Sequence, residues 1–409
     1  VKKLILYMSL VALVGCSGNL TALTPSGAAS AQDVACEPLP ARISTPTTVG
    51  SGNTLPVTVG CGYVNEPCVS VTICTPGTGT CQTIPNILLD TGSSGLRLFS
   101  CVVGVGLTQE VDGSGNSMAE CPSYADGSSD WGPIKTADVI LGGEKASNVP
   151  IQIIDSTFGS IPSDCGQPEV SPLTSGFNGI LGVGLFGADC GSACASTTNN
   201  RVYFSCSGTN CNSVTAATTA QVTNPVALMP TDNNGVILSL NAVSSAGASY
   251  STGTLFLGVG TSSNNTLGSA TVFAADSSGN FQTKFNNTTY AAFIDSGSNG
   301  LFFPDISSLP NCSTSGYAGG FYCPSSTLGF SATQIGFGSS PQSSISFSVM
   351  DADIAFDPSN PNAVFNNVAG NMSGAFDWGL PFFLGRKVYV GIEGMSVPST
   401  STTGPYWAY

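Results

Sequence analysis

Histidine is absent from this chain of 409 residues, and charge is scarce: 8% of the residues are Asp, Glu, Lys or Arg, and only 10 are basic. Without an imidazole, Ser-His-Asp and Cys-His hydrolysis and most catalytic zinc sites lose their usual reagent. Carboxylates remain as the acid-base groups. The apolar run from Leu4 to Val14 is too short for the roughly 20 residues of a membrane-spanning helix. Beyond it, no stretch holds a long amphipathic helical pattern. The net charge of −14, about −16 once Lys2 and Lys3 leave with a signal peptide, repels nucleic acid, so no nucleic-acid partner is expected.

The chain is rich instead in turn formers, with 50 Gly and 25 Pro among abundant Ser and Thr. These punctuate short apolar runs such as Val57-Thr58-Val59, Val69 to Ile73 and Val149 to Ile154, which alternate with a period near two and predict strands. With 41% hydrophobic residues the chain is ample for two lobes with their own cores, and the fold class is all-β, or mainly β.

Two segments are near copies. Ile87 to Phe99 reads ILLDTGSSGLRLF and Ala292 to Phe303 reads AFIDSGSNGLFF. Each places an Asp after an apolar strand, then a hydroxyl residue, Gly and Ser. A second echo pairs Ile180-Leu181-Gly182, 92 residues after Asp90, with Phe383-Leu384-Gly385, 90 after Asp295. Turn-forming Asp residues alone would not require the same followers twice, so the pattern implies two homologous lobes, each supplying one carboxylate. Two carboxyl groups held close share a proton, leaving one base and one acid, and a water between them can then hydrolyse an amide without metal or covalent intermediate. Asp90 and Asp295 are therefore the candidate catalytic pair. Gly92 and Gly297 allow tight turns with an N–H aimed at each carboxylate. Ser93 and Ser298 are placed to donate hydroxyl hydrogen bonds, and Thr91 and Ser296 to brace the loops against each other. Glycosidases also use two carboxylates, but they do not require duplicated Asp-hydroxyl-Gly-Ser loops.

These residues resemble the active-site loops of pepsin-like aspartic proteases, closest to bacterial pepsin/retropepsin-like lipoproteins of the DUF3443-like kind. The resemblance runs from about Leu55 to about Ile392. Tyr124-Ala125-Asp126-Gly127-Ser128 looks like the start of the flap hairpin over the cleft, with Tyr124, Asp126 and Gly127 as flap residues. Phe177 to Gly182 is similar to the strand that threads the first active-site loop, and Pro381 to Gly385 looks like its partner in the second lobe. It implies a bilobal fold with a central cleft, peptide-bond hydrolysis of a protein or peptide substrate, a monomer, and no cofactor or metal. Where the family usually has a Trp seven residues after the first Asp, this chain has Arg97, which can pair with Asp126 or bias the carboxylate pair. The family's acidic residue after the second apolar-apolar-Gly is replaced by Arg386. Pepsin-like folds also serve as binding proteins, so an inactive peptide- or glycan-binding surface lipoprotein is the alternative. A disulfide-rich structural lipoprotein is a third.

Lys2 and Lys3, the apolar run and Leu13-Val14-Gly15-Cys16 resemble a bacterial lipobox, which makes Cys16 the lipidated N-terminus of the mature chain. The expected location is the cell envelope, through a lipid anchor only, facing the periplasm or the exterior, and on the outer membrane if the organism is Gram-negative. Residues 1–16 form the signal peptide, 17–50 a flexible tether, 51–235 the N-terminal lobe with its flap, and 236–409 the C-terminal lobe. The Thr-, Ser- and Asn-rich stretch from Cys190 to Thr223 is expected as a surface insertion. Of 15 Cys, setting Cys16 aside leaves 14, which suits as many as seven disulfides in an exported chain. Short loops suggest Cys74 with Cys81, Cys206 with Cys211 and Cys312 with Cys323, and Cys101 with Cys121 below the flap. Cys190 and Cys194 lack the companions of a zinc site.

Overall fold

Short apolar runs broken by Gly, Pro and Asn can bury their side chains only by pairing edge to edge, and the chain does so in two sheets. The computed structural model describes residues 50–409 together with Leu39, so Cys16, the leader and nearly all of the tether lie outside the described residues. No described helix is long and apolar enough to cross a membrane. The fold is mainly β, in two lobes: one sheet has 16 strands and the other seven.

Strand Phe281–Phe285 shows the sequence logic most plainly, since Phe281, Thr283 and Phe285 are buried while Gln282 and Lys284 are exposed. That is period two with one dry face. Strands Pro67–Cys74 and Gly179–Val183 are buried along their whole length, as strands covered on both faces must be. The larger sheet carries the first lobe and continues from Thr54–Val59 to Ser251–Leu257, Gly235–Leu240 and Lys387–Gly391, each antiparallel to the last. The smaller sheet is built from strands between Phe281 and Trp378. Its core is aromatic: Phe376 lies 4.5 Å from Trp378 and 5.3 Å from Phe303, and Phe303 lies 5.0 Å from Phe285, ring centroid to ring centroid. Such pairs add about 0.5–1.5 kcal/mol each beyond area burial. The Trp378 indole N–H, which would be costly to bury unpaired, donates to Thr283 Oγ1 at 2.9 Å.

Six disulfides are formed among the described residues. The short-loop pairs Cys74–Cys81, Cys206–Cys211 and Cys312–Cys323 are as expected from the sequence. Cys61–Cys68 and Cys190–Cys194 close two further short loops. The expected Cys101–Cys121 bridge is not formed. Cys121 joins Cys165 instead, 44 residues on, tying the end of strand Ser117–Glu120 to a distant loop that local spacing gives no reason to choose.

The stretch from Cys190 to Thr223 is likewise more than a surface insertion. Strand Tyr203–Ser207 pairs antiparallel with Ser117–Glu120, and Tyr203, Phe204, Cys206 and Val222 are buried. Its polar composition reflects the turns around these anchors.

Candidate active site

Each lobe threads one strand between the two arms of its Asp loop. In the first, Gly179–Val183 runs parallel to Cys81–Asp90, with Gly182 opposite Asp90, and antiparallel to Ser94–Phe99, with Gly182 opposite Gly95. In the second, Ala375–Trp378 runs parallel to Thr288–Ile294, with Trp378 opposite Ile294, and antiparallel to Leu301–Phe303. One step further brings Asp295 alongside Gly379, and the Asp295 N–H donates to the Trp378 carbonyl at 3.1 Å. Both glycines are required by close approach. A Cβ on Gly182 would lie 2.7 Å from the Ser94 nitrogen, and one on Gly379 only 1.9 Å from the Gly300 oxygen.

This register corrects the second echo read from the sequence. The counterpart of Ile180-Leu181-Gly182 is Asp377-Trp378-Gly379, not Phe383-Leu384-Gly385. The latter ends the short helix Leu380–Phe383 and turns into strand Lys387–Gly391. The residue after the threading Gly is accordingly Leu380, and Arg386 does not replace an active-site acid. Its guanidinium lies 4.6 Å over the Phe382 ring.

The loops themselves meet as expected, with near two-fold symmetry. The Thr91 N–H donates to Ser296 Oγ at 3.1 Å and the Ser296 N–H to Thr91 Oγ1 at 2.9 Å. The Thr91 hydroxyl donates to the Ile294 carbonyl at 3.1 Å, and the Ser296 hydroxyl to the Leu89 carbonyl at 2.7 Å. All four groups are buried, so every donor and acceptor is spent across the lobe boundary. Asp90 Oδ1 accepts from the Gly92 N–H at 2.7 Å and Asp90 Oδ2 from the Ser93 hydroxyl. Asp295 Oδ1 accepts from the Gly297 N–H at 2.7 Å and Asp295 Oδ2 from the Ser298 hydroxyl at 2.8 Å. A Cβ on Gly297 would lie 2.8 Å from Asp90 Oδ1 and 3.2 Å from Asp295 Oδ1, so the two oxygens are no more than about 6 Å apart.

Both carboxyl groups are fully buried, and burial raises the pKa of each. For Asp90 the hydrogen bonds from its loop and the neighbouring Asp295 oppose that rise. Asp295 is pushed well above the ordinary range, first by burial and then by the negative charge of Asp90 and of Asp377. Two acids so placed cannot both ionise cheaply, and they titrate as a pair.

The residues expected to form the flap, Tyr124 to Ser128, make a tight turn in which the Tyr124 N–H donates to the Ser128 carbonyl at 2.9 Å and the Gly127 N–H to the Tyr124 carbonyl at 3.0 Å. Asp126 and Gly127 are exposed at its tip, and Asp126 accepts from the Ser128 N–H and hydroxyl. Tyr124 itself is buried, its hydroxyl donating to Asp130 Oδ2 at 2.5 Å. Burial pushes the Asp130 carboxyl up to about 6.

Arg97 does not pair with Asp126. Asp126 bonds within its own turn, while Arg97 Nη2 bonds Glu120 Oε1 at 2.9 Å and Asp189 Oδ2 at 2.7 Å, with all three side chains at 0% exposure. Asp189 also accepts from the Tyr203 hydroxyl at 2.5 Å. The cation therefore ties strand Ser117–Glu120, through Asp189 and Tyr203, to the Cys190–Thr223 stretch. Sequence reasoning missed Glu120, Asp189 and Asp377, although an acid inside the apolar run Phe376 to Trp378 is a signal in itself.

Residues 49–409 match the model of the DUF3443 family, described as a protein of unknown function. No curated protein sequence matches the chain. Among solved structures, the aspartic proteinase from Irpex lacteus matches with a TM-score of 0.51 and 17% sequence identity, over 87% of this chain and 96% of that one. The likeness establishes a pepsin-like fold.

Proposed function

Since this chain belongs to the DUF3443 family and carries a pepsin-like fold, we propose that it is an aspartic endopeptidase acting through Asp90 and Asp295. The observation that supports this reading is the convergence of two buried carboxyl groups, each held by one N–H and one hydroxyl of its own loop. The pair shares one proton. Its ionised member takes a proton from a water as the water oxygen attacks the peptide carbonyl carbon, and its protonated member gives its proton to the carbonyl oxygen. The diol that forms then collapses: its C–N bond breaks, the amine leaves with a proton from the protonated member, a diol hydroxyl returns its proton to the ionised member, and the new carboxyl is released with the pair again holding one proton. The protein or peptide substrate enters beneath the flap. In this reading the chain works as a monomer, tethered through lipidated Cys16 in the bacterial envelope, on the outer membrane if the cell has one.

The test is incubation of residues 17–409 with a denatured protein mixture from acidic to neutral pH, with and without a statine-type transition-state analogue. Cleavage that the analogue blocks is the expected result. Peptide binding without cleavage would select the inactive binding protein instead.

A further inference from the structure

Away from the two Asp loops, an open hollow of about 440 Å³ gathers Arg386 and Lys387, the only consecutive basic residues among those described. The rings of Tyr389 and Tyr409 and the turn at residues 266–270 complete its lining. No Asp or Glu belongs to that lining, although the chain carries 24 acidic residues against 10 basic ones.

The parts of the hollow are held in place. Lys387 and Tyr389 stand two apart on strand Lys387–Gly391, so their side chains leave the same face. The Tyr389 hydroxyl donates to the Thr266 carbonyl at 3.3 Å, while Thr271 and Tyr409 exchange two backbone hydrogen bonds at 3.0 and 3.4 Å, which pins the turn at both ends. Inside it the Ala270 N–H donates to the Leu267 carbonyl at 3.2 Å, and Gly268 adopts φ +56°. Among the described residues nothing accepts from the N–H of Gly268 or of Ser269. The Tyr409 ring is wedged, stacked 5.3 Å from Phe273 and edge-on at 5.1 Å to Phe382.

The two cations are not spent elsewhere. Arg386 Nη1 donates to the Phe382 carbonyl at 2.6 Å and the guanidinium lies 4.6 Å over the Phe382 ring, which fixes the group and leaves its other N–H donors unused among the described residues. Neither Arg386 nor Lys387 takes part in any of the ion pairs among the described residues. Arg386 is half-buried, and that burial lowers its pKa, with the Tyr409 phenol opposing: the charge has given up water without gaining an anion. A guanidinium fork beside an ammonium suits an oxyanion, and backbone N–H groups on another element add donors of the kind that surround a phosphate. The two tyrosine rings offer apolar surface to whatever carries that phosphate.

We propose that this hollow binds the phosphate group of a small ester or of a lipid headgroup, with Arg386 and Lys387 supplying the charge and the Gly268 and Ser269 N–H groups further donors. The site does not depend on the proteolytic reading.

The test uses the folded chain with Cys16→Ser, so that no lipid at that position contributes. It is titrated calorimetrically with inorganic phosphate, glycerol 3-phosphate and acetate, and co-sedimented with vesicles of an equal mixture of phosphatidylglycerol and phosphatidylcholine. Saturable binding of one phosphate or ester per chain is expected, with a Kd at or below about 1 mM. Arg386→Gln and Lys387→Gln should each weaken it about tenfold or more. Lys387 is exposed, so its variant keeps the test valid if loss of the Phe382 contact disturbs the other. Lys284→Gln, on the exposed face of strand Phe281–Phe285, should change nothing. Binding of the soluble ester supports the site and assigns it to a free phosphate compound; binding of the vesicles alone, lost in both variants, supports it and assigns it to a headgroup. No saturable binding of phosphate, ester or vesicles, equal affinity for acetate, or binding unchanged in Lys387→Gln overturns the proposal.

Discussion

Asp90→Asn and Asp295→Asn should each lower kcat/KM by about 10²- to 10⁴-fold or more, because an amide keeps the shape of the carboxyl but can neither take nor give the proton. The fold should survive both changes. The amide oxygen can keep the Gly92 or Gly297 N–H, and the Ser93 or Ser298 hydroxyl can turn to accept from the amide NH2 in place of donating to the second carboxylate oxygen. Stability gives a second readout with a definite sign. Both folded-state pKa values are raised, so the native state holds protons that the unfolded chain releases, and wild-type stability falls as pH rises above the ordinary Asp value. Each Asn variant should flatten that fall and have a Tm no lower than wild type at neutral pH. Full activity in either variant would remove the carboxylate pair from the mechanism.

Arg97→Leu should cost about 3–5 kcal/mol, a large part of the 5–15 kcal/mol that holds a typical domain together. The loss arises from what remains: Glu120 and Asp189 would face each other at 0% exposure with no cation between them. Glu120, whose carboxyl burial raises well above the ordinary range, would then lose the cation that opposes that rise, so the variant should recover stability as pH falls and Glu120 takes up a proton. Urea denaturation at neutral and acidic pH reads both effects. A midpoint within about 0.5 kcal/mol of wild type, the range of ordinary surface changes, would show that the buried triad holds nothing. Since both hydrogen-bonded acids of Arg97 are Glu120 and Asp189, Arg97→Trp should leave the acidic limb of the pH–rate profile in place.

The parts of the site that could be read from the chain are those written in contiguous residues. Asp90 to Ser93 and Asp295 to Ser298 specify their own turns and their own donors, and a repeated tetrapeptide needs no long-range information to be seen. The same holds for Cys74–Cys81, Cys206–Cys211 and Cys312–Cys323, where short loops leave few other partners. What escaped the sequence depends on which strand lies beside which. Gly379 is distinguished from Gly385 only by the strand it extends, and Asp377 hides the apolar-apolar-Gly pattern by standing where Ile180 stands in the first lobe. Arg97 meets Glu120 and Asp189 across separations of 23 and 92 residues, and a buried ion pair of that kind leaves no periodic trace in the chain. Polar residues between Cys190 and Thr223 suggested a solvated loop because turn chemistry outnumbers the few aromatic anchors, Tyr203 and Phe204, that carry its burial.

The central claim is that Asp90 and Asp295 form one proton-sharing unit built for the transition state of peptide hydrolysis, and calorimetric titration of the folded chain with a statine-type analogue addresses it most directly. One analogue should bind per chain, with an affinity reduced about 100-fold or more in Asp90→Asn, because transition-state analogues exceed substrates in affinity by at least that factor. No saturable binding to wild type, or equal affinity in the variant, would contradict it.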